Sequence, residues 1–288
     1  MLLPKKKMTS SRRTVLITGC SDGGMGAALA VAFHDAGLQV YATARDPAKM
    51  SHLASLGIKT LTLDVLSDSS IAECVGKLTS LDILVNNAGA TYSMPVSDLS
   101  IAESKKIFDL NVWSYLVVTQ AFLPLLLKSK GVIVNHTSSV SSMAIPFHSA
   151  YHASKAAMAM FSDTQRLELE PFGITVVDLR TAAVSTNIIK TQNEHTPIYL
   201  PKGSIYEPAR EAVESAMRYE KMVDGAMSAS QWAGQVVQDL LKNKLPRTIW
   251  RRAQARMAWI GTVLPHGMLD GTIKKLTGLD IVEQKVRK

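Results

Sequence analysis

The stretch T-V-L-I-T-G-C-S-D-G-G-M-G, from Thr14 to Gly26, decides the fold class of this chain. It opens with a β-branched apolar run, typical of a buried strand, that stops at Gly19. After the glycine-rich turn, apolar residues recur at helical spacing until Gly37, which is a suitable C-cap. The stretch therefore predicts a strand, a turn and a helix, which is the first part of a βαβ unit.

The rest of the chain repeats this alternation of strands and helices. Further strands are predicted at 39–44, 59–65, 81–85, 131–135 and 174–179. Helices are predicted at 47–56, 68–79, 100–127, 150–170, 208–222 and 229–243. Such alternation gives a parallel sheet with right-handed crossovers and helices on both faces. We therefore expect an α/β fold, in which a Rossmann-type doubly wound parallel sheet forms the middle of a three-layer αβα sandwich, in a single domain.

Length and composition are those of an ordinary globular protein. The chain has 288 residues, of which 47% are hydrophobic and 19% are charged, enough for a sizeable core. Part of the net charge of +8 lies in basic runs near the two ends, at Lys5–Lys7, Arg12–Arg13 and Arg251–Arg252. Runs of this kind are usually solvated, so the charge does not predict a nucleic-acid partner.

Cysteine usage and the N-terminal residues indicate an intracellular, cytoplasmic protein. The two cysteines, Cys20 and Cys74, are far apart and not in metal-ligand spacing, which fits a reducing compartment. The first residues lack the apolar core of a secretory signal, and no run reaches the ~20 apolar residues of a spanning helix. The most apolar candidate, Val112–Leu127, contains polar residues and a proline, and it is predicted to be a buried core helix.

The glycines of the first turn give it the chemistry to hold a pyrophosphate. They permit positive φ and close backbone approach, and the helix behind them points its N-terminus at the anion. A tight turn without a ligand is the alternative, and it is less favoured because the turn opens the first βαβ unit. Asp22 would repel an anion and is expected to point outward or to cap the helix. The predicted cofactor contacts in this turn are Gly19, Ser21, Gly23, Gly24, Met25 and Gly26.

The end of the second predicted strand distinguishes between two dinucleotides. A site for NAD carries a carboxylate there to bind the ribose 2′-hydroxyl, whereas this chain has Ala44 followed by Arg45. Nothing there repels a 2′-phosphate, and the guanidinium can pair with it. The sequence therefore predicts NADP(H), while the nearby Lys49 is expected to be solvated.

A second stretch, S-S-V-S-S-M-A-I-P-F-H-S-A-Y-H-A-S-K from Ser138 to Lys155, carries the candidate reactive groups. If its second half is helical, Tyr151 and Lys155 share a face, and the ammonium lies beside the phenol. A phenol has a pKa of about 10, and a close cation lowers that pKa toward neutrality. Ser138 follows a predicted strand and could hydrogen-bond a substrate oxygen. Because a tyrosine four residues before a lysine also occurs by chance, the pair needs support from the rest of the chain.

Taken in order, these motifs resemble the short-chain dehydrogenase/reductase family over about Thr14–Thr186. The family's turn T-G-x-x-x-G-x-G appears here with one additional residue, and its N-N-A-G motif is unchanged at 86–89. Its Y-x-x-x-K motif and its active-site serine and asparagine also find matches. The catalytic residues that the resemblance implies are Ser138, Tyr151, Lys155 and Asn111, with Ser139 as the alternative serine.

The resemblance implies a role for each of these groups. Tyr151 would protonate a carbonyl oxygen as hydride arrives, and Lys155 would lower the phenol's pKa and hold the nicotinamide ribose. Ser138 would orient the carbonyl and stabilise developing negative charge. Asn111 would kink a long helix and hold a water beside the lysine.

Further cofactor contacts follow from the resemblance. The family's residues that bracket the adenine match Asp64 and Val65, and those that hold the nicotinamide carboxamide match Val184 and Thr186. The family's Pro-Gly before that last pair is replaced by Thr181-Ala182, which alters the local backbone but removes no reactive group. The remaining implied contacts are Asn87, Ala88, Gly89, Tyr151 and Lys155.

Within the family, the longer glycine turn and the stretch L-P-K-G-S-I-Y are similar to fungal NADPH-dependent reductases related to 1-acyldihydroxyacetone-phosphate reductase and to 17β-hydroxysteroid dehydrogenases. This implies hydride transfer to the carbonyl of an apolar substrate (lipid-like, steroid-like or polyketide) in lipid or secondary metabolism. Two alternatives stay open: an enzyme of the same fold that performs dehydration, isomerisation or cyclisation, and a non-catalytic NADP-binding scaffold. The complete serine–tyrosine–lysine–asparagine set favours a catalyst over a scaffold.

The same resemblance divides the chain into segments. Residues 1–12 are a basic, disordered N-terminus, 13–250 the Rossmann domain with a substrate lid at about 187–225, and 251–288 a C-terminal extension. Lids of this kind gate access to the site. The residues that could line an apolar pocket, and could equally belong to the core, are Ile198, Tyr199, Leu200 and Tyr206 on the lid, with Met143, Ile145 and Phe147 opposite.

The resemblance also implies self-association. Members of the family are commonly dimers or tetramers, which implies a homodimer or homotetramer, with dimerisation through the helices at 100–127 and 150–170. Three histidines cluster near the site, at 136, 148 and 152, without metal-ligand spacing, so they are expected to be wall residues and no metal is predicted.

The C-terminal tail permits two interpretations. Its mixture of aromatic and basic residues would suit peripheral contact with an endoplasmic reticulum or lipid-droplet surface. The favoured interpretation is a short strand and helix that close the sheet, with solvated arginines. The residues concerned are Trp250, Arg251, Arg252, Arg256, Met257, Trp259 and Ile260.

Overall fold

A computed structural model describes residues 12–182, 184–185, 198–220, 227–251, 259–265 and 267–287, and it has the predicted α/β architecture. The strands in this part of the chain are β1 (Thr14–Ile17), β2 (Gln39–Ala44), β3 (Lys59–Thr62), β4 (Ile83–Asn86), β5 (Val132–His136), β6 (Thr175–Thr181), β7 (Val184–Ser185), β8 (Met227–Ser228) and β9 (Thr248–Arg251). One seven-stranded sheet has the order β3-β2-β1-β4-β5-β6-β9 and is parallel throughout. The short strands β7 and β8 pair separately. The order reverses beside β1, as in a doubly wound sheet.

Helices cover both faces of this sheet. Those in the described ranges are α1 (Met25–Asp35), α2 (Ser51–Ser55), α3 (Asp68–Gly76), α4 (Ile101–Phe108), α5 (Ser114–Ser129), α6 (Ser149–Leu169), α7 (Arg210–Met217), α8 (Ala229–Leu240), α9 (Asp270–Thr277) and α10 (Leu279–Val286). A π-helical segment, Asp109–Trp113, joins α4 to α5. Short 3₁₀ turns occur at Pro47–Met50, Val96–Asp98, Ser139–Ser142, Glu170–Phe172 and Glu207–Ala209.

The continuous apolar character of β1 is explained by burial on both faces. Val15 and Ile17 belong to one core cluster, with Phe33 of α1 and Trp232 of α8. Leu16 belongs to the other cluster, under α3 and α5. Successive side chains of a strand point to opposite faces, so a strand covered on both sides has no solvent-facing position to make polar.

The helix formed by α4, the π-helical segment and α5 runs from Ile101 to Ser129, and its length and mean hydropathy of 1.5 would also suit a membrane span. In this structure Val118, Phe122 and Leu126 are buried under the sheet. Each buried side chain of this size contributes roughly 1.5–3 kcal/mol to the hydrophobic free energy of folding. The prediction of a buried core helix is confirmed.

Some element boundaries differ from the sequence prediction. The strand predicted at 59–65 ends at Thr62, because the amide of Asp64 donates to the hydroxyl of Ser70 at 2.9 Å instead of continuing the ladder. The helix predicted at 208–222 covers Arg210–Met217, and Tyr219 behind it has a left-handed φ of +57°. Residues 1–11, most of the predicted disordered segment, and 187–197 and 221–226 of the predicted lid lie outside the described residues.

The C-terminal residues close the sheet and support the lid. Strand β9 pairs with β6, so the predicted domain boundary after Trp250 falls inside this strand. Trp250 stacks on the guanidinium of Arg180 at 4.8 Å. In α10, Val282 packs into a cluster with α7. Trp259 is 52% exposed, and peripheral membrane contact by this region stays a prediction.

Candidate active site

The predicted site residues converge where the strands of the parallel sheet end. The carboxyl ends of β1, β4, β5 and β6 lie side by side at one edge of the sheet. Ligands of doubly wound folds bind in the crevice outside this edge, at the point where the strand order reverses. The glycine turn follows β1, the N-N-A-G motif follows β4, and Ser138 follows β5.

The glycine turn and the N-N-A-G motif are in direct contact. Gly19 has a φ of +72°, and a Cβ there would lie 2.8 Å from the Cα of Ala88. A Cβ on Gly26 would lie 2.4 Å from the carbonyl oxygen of Gly19. The side-chain amide of Asn87 donates to the carbonyls of Thr18 at 2.8 Å and Gly19 at 3.1 Å. Glycine is therefore required at both positions of the turn, and Asn87 holds the turn in place.

Ser21, Asp22 and Gly24 form hydrogen bonds in the rest of the turn. The amide of Gly24 donates to the carbonyl of Ser21 at 3.0 Å, and Met25 begins α1. One carboxylate oxygen of Asp22 accepts a long bond from the amide of His52, at 3.4 Å, at the start of α2. Asp22 therefore faces α2, and the predicted alternative that it caps α1 is wrong, because α1 has no side-chain cap. Gly23 has the second positive φ of the turn, +77°.

The residues predicted to bind the adenosine half lie at the ends of β2 and β3. Arg45 follows β2 directly and is exposed. Asp64 and Val65 follow β3, and one oxygen of Asp64 accepts from the amide of Leu66 at 3.0 Å while Val65 is buried. The exposed guanidinium of Arg45 and the hydrogen-bonded carboxylate of Asp64 therefore lie at the same edge of the sheet as the glycine turn.

The π-helical segment fixes the predicted active-site asparagine. The side-chain amide of Asn111 donates to the carbonyl of Ala90 at 2.9 Å and to the hydroxyl of Ser154 at 3.0 Å. Its side-chain oxygen accepts from the amide of Ala90 at 3.0 Å. π-Helical segments inside α-helices occur frequently at functional sites, and this one turns Asn111 toward α6. The π-helical segment interrupts the long helix at Asn111, where the sequence predicted a kink.

Lys155 is buried among neutral groups. Its Nζ donates to the main-chain carbonyl of His136 at 2.9 Å and lies 5.5 Å from the ring centroid of Tyr115 and 6.0 Å from that of Tyr151. A Cβ on Gly89 would be 3.6 Å from the same nitrogen, so the N-N-A-G motif also borders the lysine. Tyr151 and Lys155 thus share one face of α6, as their spacing predicts.

The predicted catalytic serine is the one beside the tyrosine. Ser138 lowers the pKa of the Tyr151 phenol, and its hydroxyl donates to the carbonyl oxygen of Thr181 at 3.3 Å. Ser139, the alternative, begins a 3₁₀ turn, and its carbonyl oxygen accepts a 3.5 Å bond from Ser142. The geometry therefore favours Ser138.

The pKa of the phenol differs from the sequence expectation. Burial raises the pKa of Tyr151, and the Ser138 hydrogen bond only partly offsets this. The same burial lowers the pKa of Lys155 to about 8, against the opposing influence of Asp178. The phenol's pKa therefore lies above its ordinary value because of burial, whereas the prediction placed it below that value through the Lys155 ammonium, which lies 6.0 Å from the ring centroid.

The histidines are wall residues, as predicted, and two of them border the lid. The ring of His148 lies 2.8 Å from the carbonyl oxygen of Pro146 and 3.3 Å from that of Met217, the last residue of α7. It also packs on Tyr219 with centroids 3.9 Å apart and stacks near His152 at 5.6 Å. Within the described ranges, no group of three His, Cys, Asp or Glu side chains is arranged to hold a metal ion.

The lid residues divide into buried and exposed positions. Ile198, Leu200 and Phe147 lie in one apolar cluster, and Tyr206 packs edge-on against Phe147 at 5.5 Å. Tyr199, in contrast, is 62% exposed, so its ring does not contribute to this cluster. Met143 and Ile145 are half-buried opposite. Of the predicted nicotinamide contacts, Val184 lies in β7, and Thr186 lies outside the described residues.

Sequence reasoning missed a buried network around the imidazole of His136. Nδ1 lies 2.9 Å from the side-chain oxygen of Asn87, and Nε2 lies 2.8 Å from the hydroxyl of Thr181. The ring stacks on Trp232 with centroids 5.3 Å apart. The one available signal was position, because His136 and Thr181 end the adjacent parallel strands β5 and β6.

Comparison with known proteins decides the family. Residues 13–197 match the family model of the short chain dehydrogenases. The chain belongs to the short-chain dehydrogenase/reductase family. It is an oxidoreductase with the Rossmann fold of that family.

Relatives and solved structures agree with this membership over nearly the whole chain. The chain is 61% identical to a short-chain dehydrogenase/reductase of Pestalotiopsis microspora, over 97% of this chain and 99% of that protein. It is 37% identical to the NADPH-dependent 1-acyldihydroxyacetone phosphate reductase of Schizosaccharomyces pombe, over 93% and 95%. A short-chain dehydrogenase structure from Streptomyces avermitilis has a TM-score of 0.75 at 27% identity, covering 96% and 99%.

The buried histidines are expected to make the fold sensitive to acid. Burial lowers the pKa of His136 and His152 to about 3 and that of His148 to about 4, from 6.5. In the unfolded chain these groups take up protons near pH 6.5, so the folded state loses stability as the pH falls from there toward 4. The loss is up to about 1.4 kcal/mol per pH unit for each histidine, and no loss arises from them above pH 7.

Urea unfolding at pH 7.5, 6 and 5 measures this dependence. His152→Asn should reduce the slope of the unfolding free energy against pH, whereas His52→Gln, at an exposed histidine, should leave it unchanged. Equal stability at pH 7.5 and pH 5 would contradict the prediction.

Proposed function

We propose that this protein is an NADPH-dependent reductase that acts on the carbonyl of an apolar substrate. The observation that carries the proposal is the convergence of Ser138, Tyr151, Lys155 and Asn111 beside a glycine turn whose geometry fits a pyrophosphate. Bound NADPH would supply the hydride. The name of the Schizosaccharomyces pombe relative, an NADPH-dependent reductase, supports the same cofactor.

The turn and its neighbours are arranged to hold the dinucleotide. The close approach of Gly19 to Ala88 and of Gly26 to Gly19 leaves no room for a side chain at either position of the turn. The N-terminus of α1 points out of the same turn, where a pyrophosphate is favoured. Arg45 stands at the position that faces an adenosine 2′-substituent, so a phosphate there would gain a charged partner.

Proton transfer is assigned to Tyr151. Its phenol is protonated at neutral pH, because burial raises its pKa, so it can donate a proton to a carbonyl oxygen that is becoming an alkoxide. Ser138, bonded to the phenol, would donate its own hydroxyl proton to the same oxygen and stabilise the developing charge. Lys155 lies behind the phenol and, with a pKa lowered to about 8, can restore its proton.

The apolar substrate class is inferred from the lid. Ile198, Leu200 and Phe147 face the cluster that α7 closes, and Val213 and Met217 of α7 complete it. A substrate that reached Tyr151 beside this lid would lie near these apolar side chains, which favour hydrocarbon and aromatic groups. Apolar sites with few polar groups select ligands mainly by shape. The few polar groups of the protein orient the ligand, here through its carbonyl.

The decisive experiment measures NADPH oxidation against a panel of ketones. The panel contains an acyl-dihydroxyacetone phosphate, a steroid ketone and an aromatic polyketide ketone. Reduction of an apolar member with NADPH supports the proposal. Conversion of a substrate without consumption of NADPH would instead identify an acid–base reaction such as dehydration or isomerisation, and would overturn it.

Tyr151→Phe is expected to lower kcat by at least about 100-fold, because general acid catalysis typically contributes 10²–10⁴-fold. NADPH affinity, measured by fluorescence titration, should change by less than about twofold, since the removed hydroxyl faces the substrate. The matched control is Tyr92→Phe, which removes another buried phenol, bonded to the amide of Ser100 at 3.1 Å. Retained turnover in Tyr151→Phe would exclude the phenol from the mechanism.

Arg45→Ala is expected to weaken NADPH binding by about tenfold or more, because one hydrogen bond to a charged group is worth about 1.5–3 kcal/mol. NADH binding should be nearly unchanged, since NADH has no 2′-phosphate. Lys49→Ala removes a second exposed cation of the same region and serves as the control. An equal loss of affinity for NADPH and NADH would contradict the assignment of Arg45 to the 2′-phosphate.

We also propose that the protein self-associates through α5 and α6. Exposed apolar residues lie along these helices, among them Val117, Met160 and Leu167, which are 38%, 67% and 60% exposed. Trp113 and Phe161 meet edge-on at 5.9 Å and link the two helices in one surface. A surface of this kind on a soluble chain is typical of an interface.

Met160→Glu should therefore shift the protein toward monomer in sedimentation equilibrium, because a charge in an apolar interface loses its hydration. Val96→Glu, at a residue that is 73% exposed elsewhere, is the matched control and should leave the oligomer intact. A monomeric wild-type protein, or equal behaviour of the two variants, would contradict the assignment.

A further inference from the structure

The imidazole of His136 bridges two parts of the candidate cofactor site. It ends β5, is 4% exposed, and contacts Asn87 through Nδ1 and Thr181 through Nε2. These partners lie 49 and 45 residues away in the sequence. The ring therefore links the ends of β5 and β6 and the loop after β4 through side-chain contacts.

The direction of both bonds follows from the partners. The amide nitrogen of Asn87 donates to two carbonyls of the glycine turn, so its side-chain oxygen is an acceptor. Nδ1 must then carry the proton, and Nε2 accepts from the hydroxyl of Thr181. Burial keeps the ring neutral at physiological pH by lowering its pKa to about 3.

Each end of this bridge supports a different part of the site. Through Asn87, the bridge reaches the carbonyls of Thr18 and Gly19 in the glycine turn. Through Thr181, it reaches the end of β6, where the carbonyl of the same residue accepts from Ser138 at 3.3 Å. The bridge therefore connects the cradle for the pyrophosphate to the strand that leads toward the nicotinamide side.

The strand beyond Thr181 is supported from a second direction. Val184 in β7 pairs with Met227 in β8, and β8 runs directly into α8. Trp232 of α8 is fully buried and stacks on the ring of His136 with an interplanar angle of 19°. His136 thus contacts both Thr181, at the end of β6, and Trp232 of the helix that follows β8.

We propose that His136 and Thr181 are a coupled pair of positioning residues that fixes the glycine turn and the β7 strand relative to each other for NADPH binding. The inference rests on the proposed function only in the choice of NADPH as ligand. A proline at 181, as the family pattern has, carries no hydroxyl and could not make this bond, so the bond is a feature of this chain and its Thr181-Ala182 sequence. The pair touches neither the substrate carbonyl nor the reacting atoms.

The test compares two isosteric substitutions. Thr181→Val removes the hydroxyl bonded to His136, and Thr119→Val removes an equally buried hydroxyl bonded to Asn86 at 3.0 Å in the core. Both should lower the melting temperature by similar amounts. Thr181→Val alone should weaken NADPH binding, by about three- to tenfold for the loss of one hydrogen bond, in fluorescence titrations of the full chain. An NADPH affinity equal to that of Thr119→Val would overturn the proposal.

Coupling within the pair is tested by a double-mutant cycle. His136→Phe keeps an aromatic ring against Trp232 but leaves Asn87 without its partner, so NADPH affinity should fall by at least about tenfold. Adding Thr181→Val to His136→Phe should cost little further affinity, because the bond is already absent. If the two losses multiply, the residues act independently and the pair is refuted.

Two further measurements separate positioning from catalysis. In Thr181→Val the KM for NADPH should rise while the KM for the ketone stays within about twofold. Failure of the proposed function would appear as absent ketone reduction by the wild-type protein, whereas failure of the pair would appear in the NADPH titration.

Nitrogen-15 NMR should show the Nδ1–H tautomer of His136 from pH 8 to pH 5, and an Nε2–H tautomer would contradict the bond directions.

Discussion

A buried ammonium without a carboxylate beside it constrains the whole candidate site. Lys155 is satisfied by the main-chain carbonyl of His136 and by the faces of two tyrosines, and Asp178 acts on it only from a distance. Burying a charged group in such surroundings costs free energy unless its hydrogen-bond partners are held in place. The ends of β5 and of α6, the π-helical turn at Asn111 and the N-N-A-G loop all contribute to that geometry. Burial lowers the pKa of this ammonium to about 8, against the opposing influence of Asp178.

Much of the architecture could be predicted because it depends on local patterns. The apolar run of β1 and the glycines that follow it predicted the strand, the turn and the helix where they occur. Alternating strands and helices then predicted the parallel sheet, and the spacing of Tyr151 and Lys155 placed both on one face of α6. The confirmed elements are those in which period, turn chemistry and burial agree.

The interactions that sequence reasoning missed are long-range. The partners of His136 lie more than 40 residues away, and nothing near position 136 indicates them. The direction of the Tyr151 pKa also depends on how much of the phenol is buried, which spacing alone does not determine. Strand β3 ends earlier than predicted because the hydroxyl of Ser70, six residues further on, accepts a hydrogen bond from the amide of Asp64. The first two outcomes depend on tertiary contacts, and the third depends on a local side-chain bond that competes with strand pairing.

The contact between α10 and α7 has a practical consequence for handling the protein. Val282 near the carboxyl terminus shares an apolar cluster with Val213 and Met217 of α7. A purification tag or a fused reporter joined directly behind α10 would therefore act on the packing of α7. Attachments are better made at the opposite terminus, where Arg12 and Arg13 are exposed ahead of β1.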